Sequence, residues 1–260
     1  MTKSRKGRNK IDTLIESLGS EFSKIQNFSL TQTDPEGQKL FNLIVSKFAD
    51  LSDFRALYKQ YFIPATNRAR VATRKEMNTS YYLKVLDVAD IDLNENYHDT
   101  IRLGYVGLFH KVENFVKDVL LVSNEIFNDG KKGNDSVEGF FKDKYNFRFN
   151  NWYGDLNMRK INWIANCVKH YDGLPLKQPK YEYLSHLSED EKIKIDQNDF
   201  YEDIEYIFTS YYRLKLTQIL TLANFKTFIE DIEISELEGD LLSKYNEAEA
   251  HMRKIVELGI

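Results

Sequence analysis

The stretch Tyr97–Phe127, YHDTIRLGYVGLFHKVENFVKDVLLVSNEIF, decides the fold class. Ile101, Tyr105, Leu108, Phe109, Val112, Phe115, Val116, Val119 and Leu120 recur at three- and four-residue steps, the spacing of one helical stripe. Arg102, Lys111, Glu113 and Lys117 fall mostly off that stripe. A run this long without proline predicts a single helix with one buried face. The cluster Asn128-Asp-Gly-Lys-Lys-Gly-Asn134 stops it, because these residues favour turns over helical backbone.

Toward the N-terminus the same period returns. Ile11, Leu14, Ile15, Leu18, Phe22 and Ile25 predict an amphipathic helix over Lys10–Asn27. Asp34-Pro35 reads as an N-cap with proline at the first helical position. The helix it opens runs through Leu40, Phe41, Ile44, Phe48, Leu51, Phe54, Leu57, Tyr58 and Phe62, with a break near Asp50, and Pro64 is expected to end it. A third helix is expected over Asn67–Val88, and the polar joint Asp90–Asn96 divides the chain. The expected organisation is a basic flexible tail at 1–9, a helical subdomain at 10–92 and a helical bundle at 93–260.

Toward the C-terminus, Ser136–Tyr145 predicts a short helix and 146–154 an aromatic linker. Asp155 caps a helix that ends at His170-Tyr-Asp-Gly173, where the glycine is a stop signal. Leu174–Asp196 is a connection with a candidate strand at Ile193-Lys-Ile195, and helices follow over Asp199–Ile229 and Glu233–Leu258. With only 4 prolines and 12 glycines in 260 residues, long helices are favoured and an all-α fold is expected.

Bulk composition narrows the function classes. A single cysteine, Cys167, rules out an intramolecular disulfide and suits a reducing, cytoplasmic setting. No long apolar run or leader-like N-terminus is present, so no membrane association is expected. A net charge of −4 means that any nucleic-acid contact must be local. Two local clusters exist: Lys3, Arg5, Lys6, Arg8 and Lys10 in the tail, and Arg68, Arg70, Arg74 and Lys75; each also reads as an ordinary solvated run.

Chemistry concentrates in Arg159-Lys-Ile-Asn-Trp-Ile-Ala-Asn-Cys-Val-Lys-His170. At about 100° per residue, Met158, Ile161, Ala165 and Val168 share one side, with Ile164 at its edge. Arg159, Trp163, Asn166 and His170 share the other. Asn166 and His170 stand one turn apart, and the negative helix end favours a protonated His170. A histidine titrating near neutrality beside an amide and a cation suits acid–base work on a phosphodiester. The plainer reading makes His170 a helix terminator and Trp163 a core residue.

Other chemistries find no support. There is no Gly-rich phosphate loop, no Gly-x-Ser-x-Gly elbow and no His-Glu-x-x-His pair. Cys167 and His170 alone do not make a metal site, and Asp87, Asp90, Asp92 and Glu95 lack the glycine and closing glutamate of a calcium loop. Neither a metal nor a cofactor is expected.

A long helix carrying Phe109-His-Lys-Val-Glu-Asn-Phe-Val-Lys117, a breaker loop, a shorter helix, a helix ending Ala165-Asn-Cys-Val-Lys-His170 and another long helix resembles the HEPN superfamily. The resemblance spans roughly Tyr97–Ile229 and implies a dimeric up-and-down helical bundle that cleaves RNA without metal. It implies His170 and Asn166 as catalytic residues, and Lys169, Arg159, Trp163 and Glu113 as RNA-binding or cation-orienting residues. Ala165 stands where the family's arginine is expected. The aromatic stretch Tyr145–Tyr153 would stack unpaired bases or else pack between helices.

Two functions follow from this resemblance. One is a metal-independent endoribonuclease or RNA-binding component of a prokaryotic toxin or phage-defence system, with a homodimer, RNA and an antitoxin or defence protein as partners. The alternative is a catalytically inactive HEPN-like scaffold for protein interaction or dimerisation. A helical binding protein outside that superfamily is the third reading.

Overall fold

The computed structural model describes residues 35–85, 92, 94–126, 154–184, 186–212, 214, 215, 235 and 237–258. The basic tail, the Lys10–Asn27 helix, Asp34, the 128–134 turn cluster, the Ser136–Tyr145 helix, the aromatic stretch and residues 216–234 lie outside these. So do the side chains of Leu40, Phe41, Ile44 and Leu120.

Among the described residues all regular structure is helical. In chain order the α-helices are α1 (Pro35–Leu57), α2 (Ile63–Thr79), α3 (Tyr81–Val85), α4 (Glu95–Ile126), α5 (Leu156–Tyr171), α6 (Gln197–Tyr206), which runs on into a π turn at Ile207–Tyr211, and α7 (Gly239–Leu258). The fold class is therefore all-α, as expected.

Pro64 does not end a helix. Between α1 and α2 the backbone makes a π turn, Tyr58–Phe62, in which the Ile63 N–H reaches back five residues to the Tyr58 carbonyl. Proline lacks an N–H and its ring collides with the carbonyl four residues earlier in an α-turn; the wider turn removes that collision and leaves Pro64 in the first turn of α2. Nor does α1 break near Asp50. The helix expected over Asn67–Val88 is instead two, parted by extended Ser80, whose hydroxyl accepts the Leu83 N–H at 3.3 Å.

The chain divides into two compact units that interleave in sequence. One is drawn from Asp50–Asn114 and Trp152–Ile207, the other from Met1–Ala49, Phe115–Asn151 and Phe208–Ile260. In the second, Phe115 stacks on Tyr212 with ring centroids 4.1 Å apart, and Phe48 meets Phe208 at 4.2 Å.

The first unit carries the site. Its core joins Leu51, Phe54 and Tyr58 with Ile101, Tyr105, Leu108 and Val112 of α4, Met158, Ile161 and Ile164 of α5, and Phe200 and Ile204 of α6. The alternation of small and large residues matters here: a Cβ at Gly104 would lie 2.4 Å from the Phe200 ring, so only glycine lets that ring seat. Tyr105 donates to Asp203 at 2.5 Å and Lys160 closes on the same carboxylate at 2.7 Å, so the buried acid is satisfied twice. Burial nevertheless pushes the Asp203 carboxyl above the usual range.

Arg102 overturns its expected position off the buried stripe. It is only 2% exposed and holds Asp99 at 2.5 and 3.1 Å, Glu95, and the Ile193 carbonyl at 2.9 Å. Periodicity treats arginine as polar, whereas a guanidinium with carboxylates and a carbonyl around it can be buried. Ile193-Lys-Ile195 accordingly forms no strand: the Ile193 N–H donates to the Gly173 carbonyl at 2.8 Å and its own carbonyl serves Arg102.

Candidate functional site

Helix α5 is fixed at both ends by signals present in its sequence. Asp155 accepts the Met158 N–H at 2.9 Å and also the Tyr206 hydroxyl at 2.7 Å. At the other end Asp172 and Gly173 take left-handed backbone, φ 52° and 81°, and the Gly173 N–H returns to the Cys167 carbonyl at 3.1 Å. Lys192 clamps Asp172 at 2.8 Å and holds its carboxyl below the ordinary value, while the Arg102 stem lies 3.0 Å from where a Gly173 side chain would begin. The turn after His170 is thus held from two directions.

His170 is exposed and makes no hydrogen bond among the described residues; its ring lies edge-on to that of Tyr171 at 6.5 Å. Asn166 sits one turn below, but its amide nitrogen turns back to Asn162, at 2.8 Å to the carbonyl and 2.5 Å to the side-chain oxygen. The two residues share a face and do not bond each other. Ala165 is fully buried beside Ile161 and Ile164, so the position where the resemblance calls for arginine points into the core.

Lys169 is brought to Glu113 of α4, 3.6 Å between charged atoms, and lies 5.2 Å from the centre of the Phe109 ring. The same Glu113 oxygen is 3.9 Å from His110 Nδ1, and His110 Nε2 meets the Asn114 amide at 3.1 Å. His110 is a residue that sequence reading passed over. Its signal was the i,i+3 spacing to Glu113 on an exposed face.

Trp163 is 3% exposed and donates its indole N–H to the Lys177 carbonyl at 2.9 Å, which ties the loop after α5 to the helix. Arg159, about 16 Å from His170 along α5 at 1.5 Å per residue, is exposed with no ion-pair partner among the described residues. Between this end of α5 and the loop lies a cleft of about 360 Å³, walled by Leu156, Asn162, Trp163, Pro179 and Tyr181 and carrying Arg159, Lys177 and Lys180. Sequence reading placed Arg159 and Trp163 on one face and had no means of seeing the loop return to them.

Elsewhere in this unit Arg68, Arg74 and Lys75 are exposed on α2, whereas Arg70 bonds Asn94 at 2.9 Å and covers the Tyr97 ring at 5.1 Å. Among the described residues no group of three histidines, cysteines or carboxylates is disposed to hold a metal ion. Cys167 is buried, and burial raises its thiol pKa, which keeps it protonated and inert. No described helix is long and apolar enough to cross a membrane.

No family model, curated protein or solved structure matches this chain.

Proposed function

We propose that this chain is a HEPN-like, metal-independent endoribonuclease in which His170 acts as the acid–base group. The observation that carries this reading is the exposed imidazole of His170, free of hydrogen bonds among the described residues, at the end of a helix locked by two left-handed residues. A buried or bonded histidine would be a structural one. An accessible one with a defined backbone can take the proton from a ribose 2′-hydroxyl as that oxygen attacks the adjacent phosphorus. The 5′-oxygen then leaves with a proton, giving a 2′,3′-cyclic phosphate.

In this reading Lys169 faces the phosphate charge, held in place by Glu113. A homodimer supplies His170 and Asn166 twice, one histidine removing a proton while the other delivers one. The working context is a cytoplasmic toxin or phage-defence system, with an antitoxin or defence protein as regulator.

A specific observation favours a second reading. Ala165 lies in the core, so α5 brings no cation to the place of the family's arginine. The alternative is a catalytically inactive HEPN-like scaffold whose α5 surface serves dimerisation or a protein partner.

The test is incubation of purified protein with end-labelled total RNA and transfer RNA in the presence of a chelator, beside His170→Ala. Cleavage that disappears in the variant supports catalysis. Intact RNA with both proteins supports the scaffold.

A further inference from the structure

We propose that the cleft at the head of α5 is a binding site for a nucleotide phosphate together with its attached sugar and base. The site has a charge requirement that the protein itself leaves open. Lys177 is half-buried, and among the described residues its ammonium meets only the side-chain oxygen of Asn162, at 3.4 Å. Arg159 lines the same cleft with no carboxylate partner among the described residues. Lys180 is already matched by Glu189 at 2.5 Å, and Glu182 contributes a carboxylate at the rim. Two unneutralised cations, one of them partly withdrawn from water, recognise a doubly charged phosphate better than they recognise a chloride or a neutral group.

The remaining walls argue for more than inorganic phosphate. Leu156, Trp163, Pro179 and Tyr181 give the cleft an apolar side, and about 360 Å³ accommodates a mononucleotide. Burial also pushes the Lys177 ammonium below the ordinary lysine value, a cost that a bound phosphate would offset. The source of the nucleotide is either a free mononucleotide or the phosphorylated end of an RNA strand. The site stands apart from His170 and does not need that residue to be catalytic.

Titration calorimetry on the full chain tests this with UMP, inorganic phosphate and a short 5′-phosphorylated oligouridine. UMP is expected to bind at least tenfold more tightly than phosphate. Arg159→Gln, at an exposed position that packing does not use, is expected to weaken UMP about tenfold, the loss of one charge-assisted contact. Leu156→Trp, which fills the cleft from its rim, is expected to abolish binding while His170→Ala leaves it unchanged. Tighter binding of the oligonucleotide identifies the strand end as the ligand, and tighter UMP identifies the free nucleotide. Failure of UMP to bind, or UMP and phosphate binding alike and indifferent to both cleft variants, overturns the proposal. Because His170→Ala is read separately in the cleavage assay, the cleft and the ribonuclease reading can fail independently.

Discussion

Glu113 and Lys169 stand 3.6 Å apart, joining the middle of α4 to the last turn of α5 one residue before His170. Both side chains are partly solvated, and such pairs contribute about 0–1 kcal/mol to stability. Glu113→Gln is therefore expected to leave the melting temperature within experimental scatter. It removes a negative charge beside Lys169, so RNA affinity at low salt should rise a few-fold, read by fluorescence anisotropy. An unchanged affinity would remove Lys169 and Glu113 from the RNA-facing surface.

Arg102 makes the opposite kind of pair. Truncation to Ala leaves Glu95 and Asp99 facing each other and the Ile193 carbonyl without its donor. The two carboxylates are 33% and 46% exposed and keep their water, so the cost falls on the orphaned carbonyl and the lost packing of a buried side chain, about 1–3 kcal/mol. Chemical denaturation of Arg102→Ala should show a loss of that size, and a loss below about 1 kcal/mol would mean that water reaches the guanidinium.

Gly104 tests the packing of α4 against α6. A methyl group there meets the Phe200 ring at 2.4 Å and the Tyr58 ring at 2.9 Å. Gly104→Ala gains helix propensity of about 1 kcal/mol yet forces both rings to move, at about 1–3 kcal/mol. Net destabilisation in urea is expected, and a more stable variant would contradict the close contact.

His98 sets a pH dependence. Burial first, then the charge of Arg102, hold its imidazole below 6.5, against hydrogen bonding to the Ile195 backbone, and its Nδ1 is buried without a partner. Below pH 6.5 the unfolded chain therefore takes up a proton that the folded chain resists. Stability should be level above that pH and fall as pH drops from 6.5 toward the lower folded pKa. Urea midpoints at pH 7.5 and 5.5 should differ in the native protein and converge in His98→Gln; an equal fall in both would assign the effect to other groups.

The parts of the fold legible in the sequence were those written in periodicity and caps. The stripe of Ile101, Tyr105, Leu108 and Val112 is buried as read, Asp155 caps α5, and Gly173 terminates it. Arg102 was not legible because its burial depends on Glu95, Asp99 and a carbonyl ninety-one residues later in the chain. Pro64 misled because a sequence rule for proline assumes an α-turn before it, and here that turn is wider.

The site was legible in part. His170 is exposed at the helix end where the wheel put it, and Asn166 shares its face. Trp163 shared that face on the wheel but is covered by the returning 177–182 loop, whose path no local pattern records. For the same reason the convergence of Arg159 with Lys177 and of Lys169 with Glu113 emerges only from tertiary structure.

The π turn before Pro64 also constrains how this segment can change length. Such a turn holds one residue more than the α-turn it replaces, so a single deletion within Tyr58–Phe62 would restore ordinary register. Restored register would drive the proline ring into the carbonyl one α-turn earlier. The extra residue and Pro64 are thus a matched pair: the deletion should be harmful alone and tolerated when the proline is replaced as well. Lineages that lose one are expected to have lost the other.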